Sequence, residues 1–170
     1  IARQYVENWP DMKRKNVGLL LMGPVGTGKS FFAGCIANAL LEQGERVMMT
    51  NFSRILNEMT SYQADKNQII QNLVDYPLLI IDDLGIERNS EFALEQVYNV
   101  IDSRYCIMLP LIVTTNLGLA EMKAADLDIA HQRIYSRILE MCVPIYCGGE
   151  DRRKEEGTEK LVQVQNLITG

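Results

Sequence analysis

Histidine and tryptophan each occur once in 170 residues, and the four cysteines do not form the two close pairs of a zinc site. His131 has no obvious metal-ligand companions, and Cys35, Cys106, Cys142 and Cys147 read as reduced core thiols of a cytosolic protein. Positive charge is also scarce: 17 Lys and Arg stand against 22 Asp and Glu, for a net charge of −5. That balance argues against a generally basic nucleic-acid binder or a protein of the membrane surface. It leaves room for a local groove, because Lys13, Arg14 and Lys15 cluster near the start and Arg152, Arg153 and Lys154 near the end. A run of this kind is more often a solvated face. No apolar run is long enough to span a bilayer and no secretory signal opens the chain, so no membrane partner and a cytoplasmic location are expected. The chain starts at Ile1 rather than Met, and is expected to be a piece of a longer protein whose amino-terminal region is missing.

Glycine is not abundant, but three of the twelve fall within one octet. Residues 23–30 read Gly23-Pro24-Val25-Gly26-Thr27-Gly28-Lys29-Ser30, the pattern G-x-x-x-x-G-K-S, directly after the apolar run 17–22. In such a loop successive backbone N–H groups surround the α- and β-phosphates of a nucleotide, and the following helix directs its positive end at them. Lys29 supplies a point charge to the β- and γ-phosphates, and the Ser30 hydroxyl is a ligand for Mg²⁺. The glycines permit close approach and positive φ. A bound ATP or ADP with Mg²⁺ is therefore expected.

Five short apolar runs, at 17–22, 47–50, 78–81, 111–114 and 143–146, alternate with helical patterns. Phe32, Ile36 and Leu40 repeat at helical spacing over 30–41, with Gly44 placed to stop that helix. Ser53 is read as the cap of a short helix carrying Ile55, Leu56 and Met59, and a further helix is expected over 66–74. Ser90 opens another helix with Ala93, Val97, Val100 and Ile101 on its buried stripe, and a last one spans 129–141. This alternation predicts a three-layer α/β sandwich with a five-stranded parallel sheet. Residues 1–170 are read as one domain, with 149–170 a terminal segment, partly disordered, that includes a weakly patterned helix over 158–168.

Ligands of open α/β sheets bind beyond the carboxyl ends of the strands. Asp82 and Asp83 are expected to end the third strand, Asp82 reaching Mg²⁺ through water and Asp83 polarising or deprotonating an attacking water. Asn116 ends the fourth strand in Thr114-Thr115-Asn116, and its amide can donate to a γ-phosphate or hold the water. Arg133 and Arg137 share a helical face. They suit either surface pairing with Glu140 or another carboxylate, or insertion into a neighbouring subunit's nucleotide site.

Taken together these residues resemble the AAA+ ATPases, within them the bacterial replicative-helicase loaders of the DnaC and DnaI type and the related transposase-assisting ATPases. Residues 23–30 look like Walker A, Leu78-Leu79-Ile80-Ile81-Asp82-Asp83-Leu84-Gly85 like the loader form of Walker B, and 111–117 like the sensor 1 strand. The resemblance implies that Arg137 is an arginine finger, and that Arg153 in Gly149-Glu150-Asp151-Arg152-Arg153 senses phosphate, although Asp151 stands where the family often has Ser. It further implies an AAA+ core without a full C-terminal lid, and ATP hydrolysis that is slow in isolation. The implied product is a nucleotide-bound homo-oligomer on single-stranded DNA that places the replicative DNA helicase. Phe52, Arg54 and Tyr62 are candidate DNA contacts, although their composition suits core and surface residues as well, while Arg104 and Tyr105 resemble a family segment without an assigned chemistry. A transposase helper shares the whole site; a small-molecule kinase would need a substrate lid with convergent arginines.

Overall fold

A computed structural model describes residues 1–62, 64–85, 90–149 and 151. Two short helices, α1 (Ala2–Glu7) and α2 (Trp9–Arg14), precede β1 (Gly18–Met22) and α3 (Lys29–Glu42). Then follow β2 (Val47–Asn51), α4 (Phe52–Met59), α5 (Lys66–Val74), β3 (Leu78–Leu84), α6 (Glu91–Cys106), β4 (Leu111–Thr115), α7 (Leu119–Met122), α8 (Ile129–Met141) and β5 (Cys142–Tyr146). The strands form one sheet in the order β2-β3-β4-β1-β5, and every pairing is parallel.

Burial follows from that order. The three inner strands carry continuous apolar runs because both of their faces are covered, whereas the edge strands β2 and β5 stay partly exposed. Alternate residues serve opposite layers. Leu19, Leu21, Leu78, Ile80 and Ile112 pack with Tyr5, Trp9, Ile36 and Leu40 from α1, α2 and α3. Leu20, Leu79, Ile81, Leu111 and Val113 pack with Phe52 and Ile55 of α4, Val97 and Ile101 of α6, and Ile134 and Ile138 of α8. Pro144 sits on the β5 edge, where a missing N–H costs no ladder bond within the sheet and discourages a further strand.

The structure changes several expectations. Asn51, not Ser53, caps α4, accepting the Arg54 N–H at 2.9 Å. Phe52 is 2 % exposed and belongs to the core, so it is not available to stack on a base. By contrast Tyr62 is 99 % exposed and Arg54 lies at the surface. The third strand runs on through both aspartates to Leu84, with a register shift against β4 between Ile81 and Leu84. Asp83 takes a φ of 59°, a left-handed conformation that tolerates Asp better than most side chains. Helices α1, α2 and α7 are additional to those the sequence pattern predicts, and Cys35 and Cys106 are exposed rather than core thiols. Gly44, at φ 84°, follows the Gln43 C-cap and ends α3 as expected. The helix expected over 158–168 and Arg153 lie outside the described residues.

At the amino ends of β3 and β4, Arg104 is fully buried and accounts for a role that its sequence context left open. Its NH1 donates to the carbonyls of Val74 (2.7 Å) and Tyr76 (2.6 Å), and its NH2 to those of Pro77 (2.9 Å) and Pro110 (2.5 Å). One planar fork thereby ties the α5–β3 connection to the approach to β4. Burial lowers the guanidinium pKa to about 10, which leaves it charged at neutral pH.

Candidate functional site

The opposite, carboxyl ends of β1, β3 and β4 gather the predicted site residues. The phosphate-loop sequence turns between β1 and α3, with Gly23, Gly26 and Gly28 at φ of 145°, 81° and 85°. Two of these glycines answer to more than dihedral freedom. A Cβ on Gly23 would collide with the Cys147 carbonyl, and one on Gly26 with the Asp151 carboxylate, whose own Cβ would lie 2.9 Å away. Around Gly28 there is open space, so the left-handed backbone is what favours glycine there. Thr27 closes the turn by donating its hydroxyl to the Pro24 carbonyl at 2.9 Å.

Lys29 begins α3 and is 5 % exposed, a burial that an ammonium group tolerates only with good acceptors. Its Nζ donates to the carbonyls of Gly23 (2.8 Å) and Pro24 (2.7 Å) and to Asn116 Oδ1 (2.8 Å). The bond to Asn116 joins the loop after β1 to the end of β4. Ser30, partly exposed, stands next to it at the start of the same helix.

Asp82 and Asp83 are held from the neighbouring strand. The Thr114 hydroxyl donates to Asp82 Oδ1 at 2.6 Å and accepts the Asp83 N–H at 2.9 Å. Thr115 donates to the Leu84 carbonyl at 2.8 Å and accepts the Leu117 N–H at 3.1 Å. Two buried threonines thus fix the acidic strand end and the turn after Asn116. Sequence reasoning used Thr114 and Thr115 only as strand residues; two hydroxyls at a strand end, next to a neighbouring Asp-Asp, were the signal available.

Arg137 stands apart from this group. On α8 its Nε donates to Asp102 Oδ1 at 2.6 Å and its NH2 to the Tyr98 hydroxyl at 3.0 Å, both on α6. The guanidinium also lies over the rings of Tyr98 and Tyr105, 4.9 and 5.7 Å from their centroids. Glu140, the carboxylate considered for it, instead accepts the Tyr105 hydroxyl at 2.8 Å. Arg133 is exposed one turn earlier on the same helix. Within the described residues no group of three or more His, Cys, Asp or Glu is arranged to hold a metal, and no helix is long and apolar enough to cross a membrane. Ser30 and Asp82 nonetheless supply the hard oxygen donors that Mg²⁺ takes alongside phosphate and water.

A five-stranded parallel sheet, a glycine loop leading into a helix, and Lys29 seated between that loop and the β4 end define a P-loop NTPase of AAA+ type. The chain belongs to the IstB-like ATP binding protein family, whose model matches residues 9–160. It is an AAA+ ATPase related to DnaC and DnaI helicase loaders and to IstB-type transposition ATPases. Over 125 residues it is 28 % identical to the replicative helicase loader DnaC of Escherichia coli K12, covering 71 % of this chain and 50 % of that protein. Over 150 residues it is 27 % identical to the replicative helicase loader DnaI of Bacillus subtilis 168, covering 82 % of this chain and 48 % of that protein. A crystal structure of the DnaC helicase loader superposes with a TM-score of 0.73 at 25 % identity, covering 86 % of each chain. The chain spans about half the length of the curated relatives it matches.

Proposed function

We propose that residues 1–170 are the ATPase domain of a DNA-replication factor that assembles on single-stranded DNA as a homo-oligomer and places the replicative DNA helicase. The observation that carries the nucleotide chemistry is Lys29, buried at the junction of the loop carbonyls and Asn116 beside the Thr114-held aspartates. Loop residues 23–30 bind the phosphates through their N–H groups, and Lys29 exchanges its carbonyl acceptors for β- and γ-phosphoryl oxygens. Asn116 accepts from Lys29 through Oδ1, which turns its NH₂ to donate to a γ-phosphoryl oxygen or a water. Asp83 takes the proton of the attacking water, while Asp82 and Ser30 hold Mg²⁺. Bound there, Mg²⁺ neutralises charge on the phosphates.

Arg137 acts on a neighbour's nucleotide once subunits meet, leaving Asp102 and the tyrosines that hold it in the single chain. Arg153 senses the phosphates from the terminal segment. The client is inferred from the DnaC and DnaI relatives. The family name favours a second reading, an ATPase that assists a transposase through the same site.

The test uses the full-length protein with ATP, ADP and a labelled single strand, read by sedimentation and anisotropy. ATP is expected to promote self-association and DNA binding, and ADP to reverse both. Nucleotide without effect on either would remove the loader mechanism. Capture of a transposase rather than the replicative helicase from purified mixtures would select the second reading.

A further inference from the structure

Every nitrogen of the Arg137 guanidinium is engaged within its own chain. Beyond the bonds of Nε to Asp102 and NH2 to the Tyr98 hydroxyl, NH1 donates to the Arg133 carbonyl one turn back, at 3.2 Å. The side chains that hold it, Asp102, Tyr98 and Tyr105, all belong to α6. That helix is fixed: Arg104, two positions after Asp102, is bonded to four carbonyls, and Val97, Val100 and Ile101 lie in the core. Helix α8 is fixed too, through buried Ile134, Ile138 and Met141 and the Tyr105–Glu140 bond. Arg137 therefore leaves α6 by turning its own side chain, and what it leaves is a carboxylate. Asp102 and a terminal phosphoryl group offer the guanidinium the same thing, anionic oxygens for its N–H fork, so they are alternatives for it. The exchange is feasible because the pair is part open, with the Arg137 and Asp102 side chains 25 % and 33 % exposed, a setting in which an ion pair contributes little. The Tyr98 hydroxyl, 3.4 Å from Asp102 Oδ1, stands ready to donate to the carboxylate once the arginine has gone.

We propose that Asp102 is a positioning residue that latches Arg137 onto α6 of its own chain and yields it to the phosphates of a neighbouring subunit's nucleotide. The proposal rests on the reading of Arg137 as a group that acts in trans, and adds its control. A neighbour's nucleotide must displace Asp102 before Arg137 can serve it, so only a fraction of the arginines is free at any time. Hydrolysis then sets in at a higher subunit concentration than an unlatched arginine would require, by the factor that the latch removes from the free population. Asparagine keeps the size of the side chain and removes its charge, which makes Asp102→Asn the informative variant.

The experiment follows ATP hydrolysis per subunit against subunit concentration, with Mg²⁺ and single-stranded DNA, for the full-length protein, Asp102→Asn, Arg137→Ala and the double variant, with thermal melts of each. In Asp102→Asn the half-maximal concentration is expected to fall about threefold, in keeping with a part-exposed ion pair, while the melting temperature stays level or drops slightly. Activity and stability thus move in opposite directions, whereas a merely structural pair would lower both. In the Arg137→Ala background the Asp102 substitution is expected to leave the residual hydrolysis unchanged, because the latch then has nothing to hold. A half-maximal concentration that is unchanged or raised in Asp102→Asn, or the same fall without Arg137, would overturn the latch. Hydrolysis by Arg137→Ala equal to that of the wild type at every concentration would instead overturn the action in trans on which it rests.

Discussion

The strands β3 and β4 carry a buried basic residue close to each end, and the two are used in opposite ways. At the amino ends Arg104 places four N–H bonds on four backbone carbonyls from two connections, with no exposed surface. At the carboxyl ends Lys29 is nearly as buried but adjoins partly exposed Ser30 and bonds to exposed Asn116. Arg104 is consumed by the fold; its fork has the fixed geometry to staple two loops, and nothing in that pocket can exchange with a ligand. Lys29 is a compact charge whose acceptors include a carbonyl pair and one amide, contacts that a phosphate can replace. Burial of a cation therefore does not distinguish structure from function. What distinguishes them is whether its partners are irreplaceable backbone groups or sit on a surface that opens to ligand.

Arg104→Met should break that comparison at its structural end. Four carbonyls lose their donor, and unfolding in urea is expected to show a loss of about 3 kcal/mol or more. An Arg104→Met protein as stable as the wild type would mean that the staple contributes nothing. Thr114→Val sharpens the functional end, because it removes the hydroxyl that holds Asp82 and Asp83 while keeping the strand's volume. A stability loss of about 1 kcal/mol is expected, together with a larger fractional loss of ATP hydrolysis than of ATP binding. Equal losses of both would assign Thr114 to packing alone.

Asn51→Ala, which removes the α4 cap, is expected to cost about 1 kcal/mol and to leave nucleotide binding unchanged. Alkaline pH gives the smallest effect. Burial raises the Cys142 thiol above its ordinary 9.0 and the Tyr5 hydroxyl above 10.0, so the unfolded chain loses those protons first. Stability then falls as pH rises past about 9. Arg104, lowered by burial to about 10, opposes this at pH above that value. In Cys142→Ala the decline should begin closer to pH 10, as followed by thermal melts; an unchanged onset would exclude the thiol as its source.

How much of this was legible depended on whether the information is local. The octet 23–30 and the apolar runs are local, and the loop, sheet and helices 66–74 and 129–141 fall where the sequence places them. The staple is not local: Arg104 reaches carbonyls up to 30 positions away, and backbone acceptors leave no side-chain signature. The clasp of Thr114 on Asp82 spans 32 positions and follows from the β3–β4 register shift, which no single-strand pattern encodes. Phe52 suited two roles, a DNA contact or a core residue, and burial decides for the core. Its aromatic type suits stacking on bases, but it directly follows the Asn51 cap and turns into the core at the start of α4. Helices α1 and α2 are short and meet at Asn8, with Pro10 in the first turn of α2, too little for a periodic signal to emerge.

The most direct test of the account is calorimetric titration of ATP with Mg²⁺ into the wild-type chain and Lys29→Ala, with thermal melts of both. The account predicts that the wild type binds and that Lys29→Ala melts cooperatively near the wild-type temperature with binding lost. Equal binding by the two proteins would contradict it.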